Sequence, residues 1–227
     1  MIEVVAVAEG RTEQTFVRDV LAPSLTDFGV LLEPRPIKTS EHGRGGGLTR
    51  ERVVRFLRNT LRQRGDTYVT TLFDLYGLLR DFPGVKDGSG VRDPRQRCRL
   101  VEDALVEEVV AASGCRADRF LPHVQPFEFE ALLFSDVTAF AVVEPVWQPF
   151  VSVLQSARDG AATPEHINDG RDTHPSIRLE SVLTDPRYKK PLHGSLIASE
   201  IGLPRIRGEC PHFNDWLTRL ESLQPLR

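Results

Sequence analysis

The chain has 227 residues, 40% apolar and 27% charged, which fits one large globular domain or a domain with an extension. A formal net charge of −3 excludes a global basic field, so any nucleic-acid contact has to come from a local patch. No apolar stretch approaches the ~20 residues that span a bilayer. The three cysteines lack CxxC spacing, which argues against a disulfide framework or a zinc cluster and suits a reducing, cytoplasmic location.

Residues 2–8, IEVVAVA, form an apolar run suited to a central strand. With an acid at Glu3 and no basic leader, they read as a strand and not as a signal peptide. Gly10 ends the run, Thr12 is placed to cap a helix with Glu13 in its first turn, and Phe16, Val17, Val20, Leu21 and Leu25 recur at helical spacing. Gly29 closes that helix. VLLEPRPIK (30–38) follows as a second strand, and its two prolines point to a sheet edge.

A glycine-rich loop carrying Arg44 leads to Thr49, placed to cap the next helix. That helix has an apolar stripe of Val53, Val54, Leu57 and Leu61, with Arg55, Arg58 and Arg62 on another face. Residues 68–73 are a third strand, ended by Asp74. The loop after it is longer than a compact fold needs, a trait of functional or mobile loops. Asp93 and Pro94 make a cap and first-turn proline for a helix striped by Val101, Leu105 and Val109. Residues 119–126 read as a fourth strand, weakened by Pro122, and FEFEALLFSD follows directly.

This alternation of strands and helices defines an α/β protein with a mostly parallel sheet flanked by helices. Beyond Asp136, short helical stretches near 146–157, 176–183, 195–201 and 213–223 alternate with polar loops. The expected organisation is an α/β core over 1–135 and a helical C-terminal extension over 136–227 packed on it.

In open parallel sheets, ligands gather beyond the carboxyl ends of the strands. Glu9, Asp74, Glu128 and Glu130 all fall at such ends. Glu128 and Glu130 face the same way if the chain is extended there and diverge if it is helical. Carboxylates converging on one edge repel unless a cation lies between them, and Mg2+ (or Mn2+) is the hard ion that oxygen ligands suit. Each residue also has a plainer reading: Glu9 and Asp74 as turn residues, the two glutamates as first-turn acids, Asp136 as a helix cap.

VVAVAEGRTEQTFV resembles the first motif of the TOPRIM superfamily, a strand ending in glutamate before a glycine turn. TTLFDLYGL resembles the second, where two aspartates normally stand one residue apart. AEGRTEQTFVRDVLAP, FEFEALLFSD, INDG, PSIRL, LHGSLIASEIGL and ECPHFNDWLTRLE together resemble, nearly end to end, a bacterial family catalogued as a domain of unknown function. Its members often lie beside ATPase genes in mobile or phage-defence loci.

The resemblance implies a TOPRIM-like fold and an Mg2+-dependent nuclease, with Glu9 as general acid/base or metal ligand and Asp74 as the first aspartate. Tyr76 stands where the second aspartate would be, and a phenol with a pKa near 10 is a poor Mg2+ ligand. Glu128 or Glu130 is the substitute inferred here.

For a nucleic-acid substrate, phosphate contacts would come from Arg44, from Arg55, Arg58 and Arg62, or from Arg92, Arg95, Arg97 and Arg99, although arginines on an exposed helix face are usually a solvated face. Lys190 and His193 are further groups for the reacting phosphate. Asp169 and Ser176 suit a turn and a helix cap. Cys210 and His212, without other ligands at metal spacing, read as a packed corner anchored by Phe213 and Trp216.

Two functions follow: a metal-dependent nuclease, with a neighbouring-gene ATPase as expected partner, or a degenerate TOPRIM-like binding partner that does not turn over. A phosphotransferase is weaker, because the GxxxxGK[ST] loop is absent. Oligomeric state is not readable from the sequence.

Overall fold

The computed structural model describes residues 1–37, 48–167 and 173–226; Arg44 and Asp169 lie outside the described residues. Five strands, β1 (Ile2–Ala8), β2 (Val30–Pro36), β3 (Tyr68–Asp74), β4 (Phe120–Leu121) and β5 (Val124–Gln125), form one sheet in the order β2-β1-β3-β4, with β5 also paired to β3. Every pairing is parallel. The helices are α1 (Arg11–Phe16), α2 (Ala22–Thr26), α3 (Arg50–Gln63), α4 (Pro94–Ser113), α5 (Ala139–Val143), α6 (Val151–Asp159), α7 (Pro175–Val182), α8 (Lys190–Ile201), α9 (Leu203–Glu209) and α10 (Pro211–Glu221).

The sequence pattern explains the layers. β1 and β3 are central and apolar on both faces. Val4, Ala6, Tyr68 and Leu72 pack on one side with α1, α8 and α10, while Val5, Val7, Val69 and Phe73 pack on the other with α3 and α4. β2 takes the edge, where Pro34 and Pro36 are tolerated.

The expected fourth strand is two short pieces, because Pro122 has no N–H for the ladder. The Thr71 hydroxyl bridges the gap: it donates to His123 O (2.9 Å) and accepts from His123 N–H (3.0 Å). A π-helical turn, Val17–Leu21, joins α1 to α2. Gly10, not Thr12, takes the N-cap of α1, and Thr12 is buried inside the helix. Asp93 caps α4, its Oδ1 accepting from Arg95 N–H at 2.9 Å, and Gly114 ends it in the left-handed region.

The helices after residue 136 share the sheet's core. Trp147, Tyr188, Phe213 and Leu220 belong to the same buried cluster as Val4 and Leu72. Trp216 Nε1 donates to Thr70 Oγ1 in mid-β3 at 2.8 Å. α8 starts at Lys190 and not at 195, with Pro191 in its first turn, so the stretch read as a polar loop around Lys190 and His193 is helical. Among the described residues no helix is long and apolar enough to cross a membrane.

Candidate functional site

β1 and β3 are adjacent and parallel, and Ala8, the last residue of β1, pairs with Leu72, two residues before β3 ends at Asp74. The chain therefore brings Glu9 and Asp74 to one edge, where Asp74 N–H donates to Glu9 Oε2 at 3.2 Å. Gly77 lets this happen: a Cβ there would lie 2.5 Å from both Glu9 carboxylate oxygens. Glu13, in the first turn of α1, is buried beside them.

From the far end of the chain, the first turn of α8 delivers Lys190. Its Nζ lies 3.0 Å from Asp74 Oδ2, 3.0 Å from Glu130 Oε2 and 3.4 Å from Glu13 Oε1. Tyr188 OH donates to Glu130 Oε1 at 3.4 Å. Gly194 allows α8 this close, since a Cβ there would meet Thr12 Cγ2 at 3.0 Å and Phe129 at 3.1 Å. Phe127 has a φ of 61°, rare for a bulky residue, at the turn after which Phe129 N–H donates to Asp74 Oδ1 at 2.8 Å.

Three acids thus contact one ammonium, and a fourth, Glu9, stands beside Asp74. Burial and repulsion from Asp74 and Glu13 push Glu9 up to about 8, against the pull of Lys190. Burial pushes Asp74 up to about 6 despite Lys190, with Glu13 and Glu128 adding to the rise. Burial likewise holds Glu130 near 8, with Asp74 and Glu128 repelling its charge. Burial opposes the charge on Lys190, but attraction from Asp74, Glu130 and Glu13 outweighs it and holds the ammonium well above its usual range. The centre is short of positive charge. Glu130 Oε2, fully buried, has no hydrogen-bond donor among the described residues outside its ion pair with Lys190.

The two glutamates of FEFE part company. Glu128 is extended and Glu130 enters a 3-10 turn, Phe129–Ser135. Glu130 turns into the centre. Glu128 accepts from Ser176 N–H (2.9 Å) and Ser176 Oγ (3.2 Å), and lies 3.2 Å from His174 Nδ1, at the N-terminus of α7. Ser176, expected to cap, is therefore itself bonded by a carboxylate from another element.

The expectation that Glu9, Asp74 and one of these glutamates share a single cation is revised: Lys190 Nζ stands between Asp74 and Glu130. His193 is not joined to the carboxylates. Its Nδ1 accepts from Lys189 N–H at 2.9 Å, its Nε2 faces Glu144 at 3.9 Å, and its ring packs edge-on to Trp147. Tyr76 is 40% exposed, beside Phe127 and His174.

The arginines of α3 lie on the opposite face of the sheet from α8. Arg62 donates to Ser113 O (3.1 Å) and Ala112 O (3.2 Å), closing the C-terminus of α4, so its guanidinium has a structural task. Arg58 bonds Asn59 Oδ1, and Arg55 shares with it a surface cavity of about 410 Å³. Arg95 pairs with Asp93, Arg99 with Asp215, and Arg97 lies over the Phe127 ring.

A second cluster escapes the sequence reading. Glu102 of α4, His123 between β4 and β5, and His212 of α10 each offer a ligand atom, and these atoms lie within 4.8 Å of one another. All three are buried, and together they can hold a metal ion. Glu102 Oε1 lies 2.9 Å from His212 Nε2 and 3.7 Å from His123 Nδ1, and accepts from Val124 N–H at 2.8 Å. His212 is thus more than the packed corner expected of it, while Phe213 and Trp216 are buried anchors as read. No spacing rule could find the cluster, because Glu102 and His212 are 110 positions apart.

Fold and site define an α/β protein with a lysine-bearing acidic centre beyond the carboxyl ends of a parallel sheet. The chain belongs to the family described as Domain of unknown function (DUF4276), whose model matches residues 8–221. No curated protein and no solved structure matches it.

Proposed function

We propose that the acidic centre hydrolyses phosphodiester bonds of nucleic acid with the help of Mg2+ or Mn2+, as a nuclease of TOPRIM type. The observation that carries this reading is the meeting of Glu9 and Asp74 at adjacent strand ends, beside a lysine and in a centre with more acids than cations. The all-oxygen donor set fits a hard divalent ion, which commonly takes only one or two carboxylates and completes its shell with water and substrate phosphate. Glu9 and Asp74 would hold it, and when bound it would neutralise phosphate charge and make an attacking water more acidic.

The remaining roles belong to the chain. Glu9, raised to about 8 in the ion-free protein, gives up its proton when the ion binds, so loading of the centre depends on pH near neutrality. Lys190, with 31% of its side chain open to solvent, offers a fixed positive charge to a phosphate oxygen. Glu130 holds Lys190 in place, and the ligand missing at Tyr76 is left to water or substrate phosphate. Control by an ATPase from a neighbouring gene, within a phage-defence locus, is part of this reading and rests on the family resemblance.

The test is cleavage of single- and double-stranded DNA and of RNA, with Mg2+ or Mn2+, by the protein alone and with that ATPase. Glu9→Gln and Asp74→Asn are expected to lose on the order of 100-fold or more in rate. Cleavage by both at the wild-type rate would refute the assignment.

The second reading, a non-catalytic binding partner, draws on Tyr76 and on Lys190, which already supplies a cation to Asp74 and Glu130. It predicts that Asp74→Asn leaves Mg2+ affinity unchanged.

A further inference from the structure

We propose that Glu102, His123 and His212 form a Zn2+ site of open coordination, separate from the acidic centre and facing the solvent through its own pocket. The donor set is two imidazoles and one carboxylate. This borderline N/O set suits zinc and its neighbours in the transition series better than Mg2+. Tetrahedral zinc with bonds of about 2.0–2.1 Å places neighbouring ligand atoms ~3.3 Å apart. The two distances from Glu102 Oε1, 2.9 Å to His212 Nε2 and 3.7 Å to His123 Nδ1, straddle that value.

The hydrogen bonding around the cluster points the same way. His123 Nε2 lies 3.2 Å from Gln125 Oε1; in the tautomer that donates across this contact, Nδ1 keeps its lone pair free for a metal. That lone pair faces Glu102 Oε1, also an acceptor. A cation there would be held by both, in place of the proton that the 2.9 Å contact between His212 Nε2 and Glu102 otherwise shares. A buried carbonyl that fixes the tautomer of a histidine is the usual outer partner of a ligating imidazole. Stacking further orients His123: its ring lies 4.5 Å from that of Trp216 and 5.0 Å from that of His212. Val124 N–H holds the carboxylate at 2.8 Å.

Three protein ligands leave one position of a tetrahedron open, the pattern of zinc sites that bind water or substrate. The three residues line a pocket of about 270 Å³ that Arg99, Asp103, Asp215 and Arg219 also line.

The experiment is titration of chelator-treated wild-type protein with Co2+, followed by its visible absorption, then by competition with Zn2+ and addition of azide. The intense bands of four-coordinate cobalt are expected to saturate at one ion per chain and to shift on azide, whereas an oxygen-only site such as the acidic centre gives no intense bands. His123→Asn and His212→Gln should abolish the intense bands and the uptake they report. Gln125→Ala, which spares all three ligands, should weaken it about 10–100-fold. Glu9→Gln and Asp74→Asn should bind as wild type does, so failure of the nuclease reading leaves this result untouched. Wild-type protein without the intense four-coordinate cobalt bands, or bands that survive in both histidine variants, would overturn the site. Cobalt bands that ignore azide would overturn its open position.

Discussion

Replacing Lys190 with methionine keeps the length and apolar stem of the side chain and removes only the charge. Its ammonium is the cation 3.0 Å from both Asp74 and Glu130 and 3.4 Å from Glu13, and those carboxylates are 8%, 0% and 4% exposed. Removing one partner of a buried ion pair costs about 3–5 kcal/mol, because the remaining charge is left uncompensated. Lys190 itself is 31% exposed, which places the expected loss at the low end, about 3 kcal/mol. For a chain of this size that corresponds to a fall of about 6–12 °C in Tm.

The sign of its pH dependence follows from the raised carboxyls. Asp74 titrates near 6 and Glu9 and Glu130 near 8 in the folded protein. At about pH 8.5 all three are ionised and the lysine matters most; at about pH 5.5 they hold protons and the loss shrinks. Thermal and urea unfolding of both proteins at those two pH values measures the difference. A variant as stable as wild type at the higher pH would refute the shared-cation account of Lys190.

Glu130→Gln should act oppositely. The wild-type carboxyl is raised from 4.5 to about 8, so its stability contribution is fully present below about 4.5 and lost as pH rises to about 8. The glutamine variant escapes that loss and should gain on the order of 1–3 kcal/mol at alkaline pH, read by urea unfolding, with no gain near pH 4. Gly77→Ala separates function from stability. Its Cβ would lie 2.5 Å from the Glu9 oxygens, which end a flexible side chain, so unfolding free energy should change by about 1 kcal/mol or less. Cleavage should nevertheless fall about tenfold or more, because Glu9 is displaced from Asp74 N–H.

The sheet was legible because its strands announce themselves: two apolar runs for β1 and β3, and prolines that send β2 to the edge. Glu9 and Asp74 were legible for the same reason, since a parallel sheet puts its strand ends together. Lys190 was not legible as their partner. It lies 116 positions from Asp74, and its place depends on Gly194 letting α8 approach α1. Glu13 looked like an ordinary first-turn acid, because its burial arises from α8 closing over it. The FEFE pair could not be resolved without the backbone, for only the switch from extended Glu128 to the 3-10 turn decides which carboxylate enters. Glu102, His123 and His212 come from three elements, and nothing local marks any of them as a ligand.

The most direct test of the nuclease account is calorimetric titration with Mg2+, a hard oxygen-seeking ion that discriminates against the imidazole cluster. In two buffers of different ionisation enthalpy near pH 7.5, wild-type protein should bind Mg2+ and release protons, because Glu9 and Glu130 are partly protonated there. Asp74→Asn should lose the binding. Mg2+ binding of equal affinity in Asp74→Asn, or none in wild type, would contradict the claim that Glu9 and Asp74 form a metal-assisted catalytic centre.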